Sequence, residues 1–328
     1  MRGKYNGLAT LIQEHCAKAT YVWCYAHRLN LVMNAVTSCC EDIRNTLGIL
    51  EELYTFMSGH KRNDVFWRAQ DGAVGRKQQL KRVSTTRWNS TEAAVDTVLA
   101  RYGEIVKALS CLTQSHEDSQ TVTLSVGLQA RLKDIRVIVC MKILKLLYNF
   151  TGPVSRMLQG VAIDLATAAA LLSDCKKKFE DARANADLLW DELIEESVAF
   201  ANQHGVDTEF HTERNRKKKK LAGEKSSDER LTGKERLKID TFLVVLDEVS
   251  QQLNSRFGEH NVALLKQMSL FTPAGLLSSS NDDLNSDAIR KLCDQYDLCA
   301  EEVQRELVDF RTTYRVCSQV TQQGKNLH

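Results

Sequence analysis

The sequence predicts a mainly α-helical protein with a short α/β segment at its amino terminus. Only two of the 328 residues are proline, and a chain so poor in proline can form long uninterrupted helices. Apolar residues recur every three or four positions through most of the chain, which is the helical period. The clearest strand signal is the run TYVWC at 20–24, because β-branched and aromatic residues favour strands.

The predicted elements follow in chain order. A short amphipathic helix over 3–15 comes first, with three apolar residues on one face: Leu8, Leu11 and Ile12. The strand at 20–24 follows, and the period becomes helical from His27 onward. Asn89 is the predicted cap of a later helix that continues to about 112. The other helices are predicted at about 43–57, 124–150, 161–203, 235–257, 260–269, 284–297 and 299–320.

Residues 58–90 are predicted to form a basic loop. Aromatic residues lie between its cations, which are Lys61, Arg62, Arg68, Arg76, Lys77, Lys81, Arg82 and Arg87. An exposed aromatic ring among cations can stack on a nucleobase while the cations hold phosphates. The alternative for Trp88 is an apolar side chain packed beneath the start of the following helix.

The segment 204–234 is predicted to be a charged linker, because it has few apolar residues. Its basic block, Lys217–Lys220, fits either a nuclear localisation signal or a solvated linker. The net charge of the whole chain is only +2. The apolar run VIVCMKILKLLYNF contains Lys142 and Lys145 at helical spacing, so it predicts an amphipathic helix and no membrane span.

Cys24 and His27 have the spacing of a metal-binding pair. Structural zinc needs four ligands, and no second pair lies at finger spacing. A nucleophilic dyad would draw its members from separate elements. From the spacing alone, the pair is a cysteine that ends a strand and a histidine that begins a helix. The sequence contains no P-loop, dinucleotide or hydrolase motif, and we predict no metal site.

The chain resembles the transposase domain of the hAT superfamily, in particular the domesticated branch that includes the zinc-finger MYM-type proteins. The resemblance rests on MRGKYNGLATLIQEHCAKATYVWCYAHRLNLVMNAV at 1–36 and on FMSGHKRNDVFW and LKRVSTTRWNS further along. It continues weakly through DTFLVVLDEVSQQLNSRF and covers most of the chain.

This resemblance implies an RNase H-like core interrupted by a large helical insertion. In that core three acidic residues bind two divalent metal ions for DNA cleavage and strand transfer. The family's YDGAANM-like and ER-x-FS-like segments, which carry two of these acids, are not found in this sequence. We therefore expect an internal fragment with no enzymatic activity and no cofactor, a divalent metal being expected only in a full-length active relative.

The resemblance also implies roles for individual residues. Cys24 and His27, with Arg28 beside them, match the motif that ends the last core strand and lies beside the ancestral active site. Arg87 and Trp88 match the family's Arg-Trp pair, whose Trp stacks against a flipped base.

We predict four segments: a core remnant of one helix and one strand at 1–27, the first part of the helical insertion at 28–203, the charged linker at 204–234, and the second part of the insertion at 235–328. The leading hypothesis is a transposon-derived, catalytically inactive nuclear protein that binds nucleic acid or protein partners. Its candidate nucleic-acid contacts are Lys61, Arg62, Lys81, Arg82, Arg87 and Trp88.

Two alternatives remain open. One is the middle section of an active hAT DNA transposase. The other is a helical protein-interaction scaffold without a nucleic-acid role, in which Arg87 and Trp88 are packed internally. DNA and protein are the expected partner classes, and neither a membrane nor a small-molecule substrate is expected.

Overall fold

The computed structural model describes residues 7–19, 25–83, 88–114, 118–159, 165–210, 231–257, 271, 276–277, 280 and 287–325. These residues are mainly helical and include no strand, which confirms the predicted α character. The predicted strand at 20–24 and the predicted helix at 260–269 lie outside the described residues.

The described helices run in chain order as follows: α1 Leu8–His15, α2 Tyr25–Ser38, α3 Glu41–Met57, α4 His60–Ala69, α5 Trp88–Ala100, α6 Tyr102–Gln114, α7 Ser119–Leu132, α8 Ile135–Leu158, α9 Leu165–Ala184, α10 Ala186–Gln203, α11 Gly233–Leu237, a π-helix Lys238–Leu243, α12 Val244–Arg256, α13 Asp287–Tyr296 and α14 Ala300–Lys325.

The chain divides into two compact units. Unit 1 comprises Met1–Arg28, Arg156–Asp174 and Ser255–His328, and unit 2 comprises Leu29–Ser155 and Cys175–Asn254. The predicted linker at 204–234 therefore lies within unit 2, where it joins α10 to α11.

Helix α8 supplies much of the core of unit 2. Ile138, Leu144 and Leu147 on this helix are fully buried. Among the described residues, α8 is the one helix long and apolar enough to cross a membrane, yet 67% of its apolar window is buried inside the protein. Burial of this kind is typical of a core helix.

The two lysines of α8 reach charged partners beside that core. The Lys142 ammonium lies 3.6 Å from the Glu196 carboxylate, and the Lys145 ammonium lies 2.5 Å from that of Asp96. The predicted amphipathic character of this run is therefore confirmed.

Three predicted helices are each divided in two by the structure. The helix predicted from Asn89 is interrupted at Arg101. The helix predicted over 124–150 is interrupted at residues 133–134, and the helix predicted over 161–203 is interrupted at Asn185. No proline lies at these breaks, and a glycine lies near only the first of them, at Gly103. The apolar period continues across each of them. Asn89 is also not the cap, because α5 already begins at Trp88.

The predicted loop at 58–90 was wrong over residues 60–69, which form helix α4. This helix is anchored by Phe66, which is fully buried, and by the buried Ala69. Most of its other residues are polar or charged, and two apolar anchors are too few to produce a recognisable helical period. Residues 70–83 are not helical, as predicted.

Helix α11 begins with a capping box. The Thr232 hydroxyl accepts a hydrogen bond from the Glu235 backbone N–H at 3.2 Å, and the Glu235 carboxylate accepts one from the Thr232 N–H at 2.7 Å. This reciprocal pair satisfies backbone donors that would otherwise be unpaired at the helix start. The helix therefore begins two residues before the predicted position.

A π-helix then connects α11 to α12. The Thr241 hydroxyl within it donates to the Asp42 carboxylate at 2.6 Å, and the Phe242 ring lies 5.3 Å from that of Trp190. Thr241 and Phe242 are both fully buried. The widened turn thus places a polar and an apolar side chain in the interior of unit 2.

Unit 1 has a small described core. Its buried members come from α13, α14 and the preceding segment: Leu276, Ile289, Cys293 and Leu307. The residues of the apolar face predicted for the first helix lie in α1, but they are exposed to solvent. The exposed fraction of Leu8 is 56%. The Lys18 ammonium forms an ion pair with Asp297 in the same unit.

Candidate functional site

Helix α4 turns one polar face to solvent. His60, Lys61, Trp67 and Arg68 are exposed and Asp64 is half-buried. These residues are spaced at i, i+1, i+4, i+7 and i+8, which places them along one face of a helix. An aromatic ring and several ionic groups therefore share one surface of unit 2.

Trp67 combines an exposed ring with a fixed cation. The residue is 37% exposed, and the Lys77 ammonium lies 5.3 Å from the centre of its ring. The same ammonium forms an ion pair with Asp71 at 2.5 Å. A cation within about 6 Å of a tryptophan ring is attracted to its face, so Lys77 is held against Trp67 by two interactions.

A cleft of about 260 Å³ opens beside this ring. It is lined by His60, Asn63, Asp64, Trp67 and Gln79. The two amides present both donors and acceptors, and the carboxylate presents acceptors alone. The cleft therefore offers one aromatic wall and several groups able to form hydrogen bonds.

Gln70 anchors the segment that follows α4. Its side-chain amide donates to the Gln78 carbonyl at 3.1 Å and accepts from the Gln78 N–H at 2.9 Å. Gln70 is only 2% exposed. Two glycines between these residues, Gly72 and Gly75, have φ values of +80° and +86°, a conformation that favours glycine.

Arg101 anchors the same segment from the α5–α6 junction. Its guanidinium donates to the Val74 carbonyl at 3.0 Å and to the Arg76 carbonyl at 2.6 Å. The Glu104 carboxylate lies 3.6 Å away. The Arg101 side chain is almost wholly buried, so its charge is used to order the backbone of the loop.

Glu51 of α3 anchors the far end of the segment. Its carboxylate accepts from the Arg82 guanidinium at 3.0 Å and from the Val83 backbone N–H at 2.9 Å. Residues 70–83 are thus fixed at three places by side chains of unit 2. We call this segment the pinned loop.

The cations of α4 and the pinned loop differ in their pairing. Exposed ion pairs join Arg68 to Asp64, Lys77 to Asp71 and Arg82 to Glu51. Lys61, Arg76 and Lys81 are exposed, and none of these three forms an ion pair with another described residue. They are the cations most readily available to a bound anion.

Arg62 has an internal role instead. Its guanidinium donates to the Phe56 carbonyl at 2.5 Å and lies 4.7 Å from the centre of the Phe56 ring. Both contacts hold the start of α4 against the end of α3. We therefore withdraw Arg62 from the candidate contact residues and retain Lys61, Lys81 and Arg82.

The family-motif residues are only partly described. Cys24 and Arg87 lie outside the described residues, as does the side chain of Trp88. His27 is exposed on α2. Arg28 donates to the Arg256 carbonyl at 2.8 Å, and its guanidinium lies 5.4 Å from the Tyr25 ring. These contacts give Arg28 a structural role within unit 1.

Sequence reasoning did not identify the cleft at Trp67. Trp67 is one of the aromatic residues within the predicted basic loop at 58–90. The spacing of seven residues between His60 and Trp67 would have placed both on one face, had a helix been predicted there. Gln79 is brought to them by the pinned loop and could not be placed from the sequence.

A larger cleft of about 700 Å³ in unit 2 is lined by α3, α7, α8, α11 and the π-helix. Four of the nine Asp, Glu and Arg residues that line it pair with each other, since Arg131 bonds Glu52 at 2.7 Å and Arg136 bonds Asp42 at 2.8 Å. The hydrogen bond from Arg131 lowers the pKa of the Glu52 carboxyl. The two pairs join α3 to α7 and to α8 along the cleft.

No cluster of three potential metal ligands occurs among the described residues. A pair of thiols does occur at the start of α3, where Cys40 is the N-cap residue. A hydrogen bond from Cys39 lowers the pKa of the Cys40 thiol to about 7 and raises that of Cys39.

Comparison with known proteins adds no identification. No family model matches this chain, and no solved structure matches it.

Proposed function

We propose that this chain binds nucleic acid through a surface formed by α4 and the pinned loop. The observation that carries the proposal is the exposed Trp67 ring of α4, which lies beside the cations of α4 and of the pinned loop. The pinned loop is fixed at three places. Phosphates attract lysine and arginine, and bases stack on aromatic rings. A fixed surface loses little conformational entropy when it binds.

We further propose that the protein is transposon-derived and catalytically inactive, with helices that correspond to the insertion in an RNase H-like transposase. The hAT-like motifs support this origin. We propose the nucleus as its location on the basis of Lys217–Lys220, which lie outside the described residues.

The test measures binding to hairpin-ended duplex DNA at a series of salt concentrations. Fluorescence anisotropy in the presence of EDTA is the readout. If three phosphates are neutralised, the slope of log K against log salt is about −2 to −3. The triple variant Lys61→Gln, Arg76→Gln, Lys81→Gln should reduce the slope towards zero.

A matched triple variant controls for the change in net charge. Lys107, Lys133 and Lys177 are exposed lysines on other parts of unit 2, and their replacement by Gln removes the same charge. The proposal predicts that this variant keeps the wild-type slope. Equal loss in both triple variants would mean that binding follows total charge, and absence of binding at low salt would favour the scaffold alternative.

A further inference from the structure

We infer that the cleft beside Trp67 holds an unpaired nucleobase, so that the preferred ligand is single-stranded nucleic acid. This inference rests on the proposed function and adds the class of ligand and the manner of its recognition. The cleft belongs to unit 2 alone and is lined by residues of α4 and the pinned loop.

The first argument comes from the accessibility of bases. In a duplex the faces of each base are covered by its neighbours, and only the edges are open in the grooves. An aromatic side chain therefore gains its stacking energy from bases that are unstacked, as in single strands, loops and ends. Trp67 presents an exposed indole in a cleft, and a single strand can supply a base to it.

The second argument comes from the size of the cleft. Its volume of about 260 Å³ lies just below the range of about 300–1,000 Å³ that is usual for drug-sized ligands. One planar base is smaller than such ligands, whereas a duplex could not enter. The sugar and phosphates would remain outside.

The third argument comes from the charges around the cleft. The exposed Lys61 lies between the cleft residues His60 and Asn63 on α4, and the Lys77 ammonium lies against the Trp67 ring. Asp64 lies within the cleft and would repel a phosphate there. The negative group inside and the positive groups around it therefore suit a neutral base in the cleft and an anionic backbone at its edge.

Asp64 also predicts which bases are preferred. Its carboxylate lies 2.7 Å from the Arg68 guanidinium, but an ionised carboxylate can accept about four hydrogen bonds. An exocyclic amine, such as N4 of cytosine, donates to a carboxylate, whereas thymine presents a carbonyl at the same place. We therefore expect oligo-dC to bind more tightly than oligo-dT.

The experiment measures the anisotropy of three labelled probes: dC12, dT12 and a 12-base-pair duplex. Trp67→Leu keeps an apolar side chain but removes the ring, and Trp67→Phe keeps a ring. One stacked base contributes about 1–3 kcal/mol, so Trp67→Leu should weaken dC12 binding about 5- to 150-fold. Trp67→Phe should restore most of the affinity, and duplex binding should change little.

Two further variants complete the design. Phe310 is an exposed aromatic residue in unit 1, and Phe310→Leu should leave dC12 binding unchanged. Asp64→Asn should reduce the preference for dC12 over dT12. Thermal melts of every variant show whether a loss of binding reflects a loss of folding, and Trp67→Phe provides a second check.

The outcomes separate this inference from the proposed function. Trp67→Leu could weaken the binding of duplex and single strand equally, or leave both unchanged, while the salt slope persists. Either result overturns the base-stacking inference and leaves the proposed basic surface in place. If the wild-type chain binds none of the probes at low salt, both are overturned. Equal binding of dC12 and dT12 overturns the role assigned to Asp64.

Discussion

The side-chain amide of Gln70 bonds both backbone groups of Gln78, donating to the carbonyl at 3.1 Å and accepting from the N–H at 2.9 Å. These are the two hydrogen bonds that a neighbouring β-strand would form with Gln78. The Gln70 side chain forms them instead and closes the intervening residues into a loop. Gln70 is buried, so water cannot readily replace it. Gln70 thus fixes the beginning of the pinned loop, as Arg101 and Glu51 fix the rest of it.

Gln70→Leu should therefore lower the free energy of unfolding. The substitution leaves a backbone donor and acceptor of Gln78 without their partner, which costs about 1–3 kcal/mol. Urea denaturation monitored by circular dichroism measures the change. Gln78→Ala is the control, because the two bonds use only the backbone of Gln78. A similar loss of stability in both variants would show that the amide pair is not the cause.

Arg101→Lys should also destabilise unit 2. A guanidinium can donate to the Val74 and Arg76 carbonyls together, whereas an ammonium is a compact group on a flexible stem. Hydrogen bonds to charged groups contribute about 1.5–3 kcal/mol, and we expect a loss of this size. Arg82→Gln removes an exposed ion pair and should cost at most about 1 kcal/mol. The prediction fails if Arg82→Gln proves the more costly of the two in urea.

The stability of unit 2 should fall as the pH is lowered below neutrality, in part because of His204. This imidazole lies 5.0 Å from the Tyr102 ring and 4.6 Å from the Phe200 ring. Burial lowers its pKa, although Glu104 opposes the effect. The unfolded chain therefore binds the proton more readily than the folded one, and the free energy of unfolding decreases as the pH falls through and below about 6.5.

Urea denaturation at a series of pH values from 8 to 5 checks this prediction. His204→Gln removes the titrating group, so the decline below pH 7 should become shallower. The wild-type and variant curves should approach each other at low pH, where the wild-type contribution is lost. Parallel curves over the whole range would exclude His204 as a source of the pH dependence.

The sequence predicts helix faces far better than helix ends. Tyr102, Ile105 and Leu109 recur at helical spacing in the sequence, and all three are buried, because the helical period is a local property. The contacts of the Arg101 side chain could not be predicted, because the carbonyls it bonds belong to Val74 and Arg76, 27 and 25 positions earlier in the chain. Such contacts belong to the tertiary structure and leave no local signal in the sequence.

The candidate site was predictable only in outline. The composition of 58–90 located the basic segment, but Phe66 and Trp67 are adjacent in the sequence. Which of them is exposed depends on the phase of α4. That phase places Phe66 in the core and Trp67 at the surface, and the sequence alone did not predict the helix.

The π-helix at Lys238–Leu243 shows how this part of the chain accommodates one extra residue. Each helical residue advances the direction of the side chains by about 100°. A π turn closes with one residue more than an α turn, so deleting one residue from it would restore an α-helix while the later positions of α12 kept their direction. The buried side chains Val245, Val249 and Leu253 would still face the core, whereas the same deletion in a regular α turn would rotate them by about 100°. The widened turn thus acts as a phase adjuster, and a sequence comparison that allows no extra residue at 238–243 would place α11 or α12 in the wrong register.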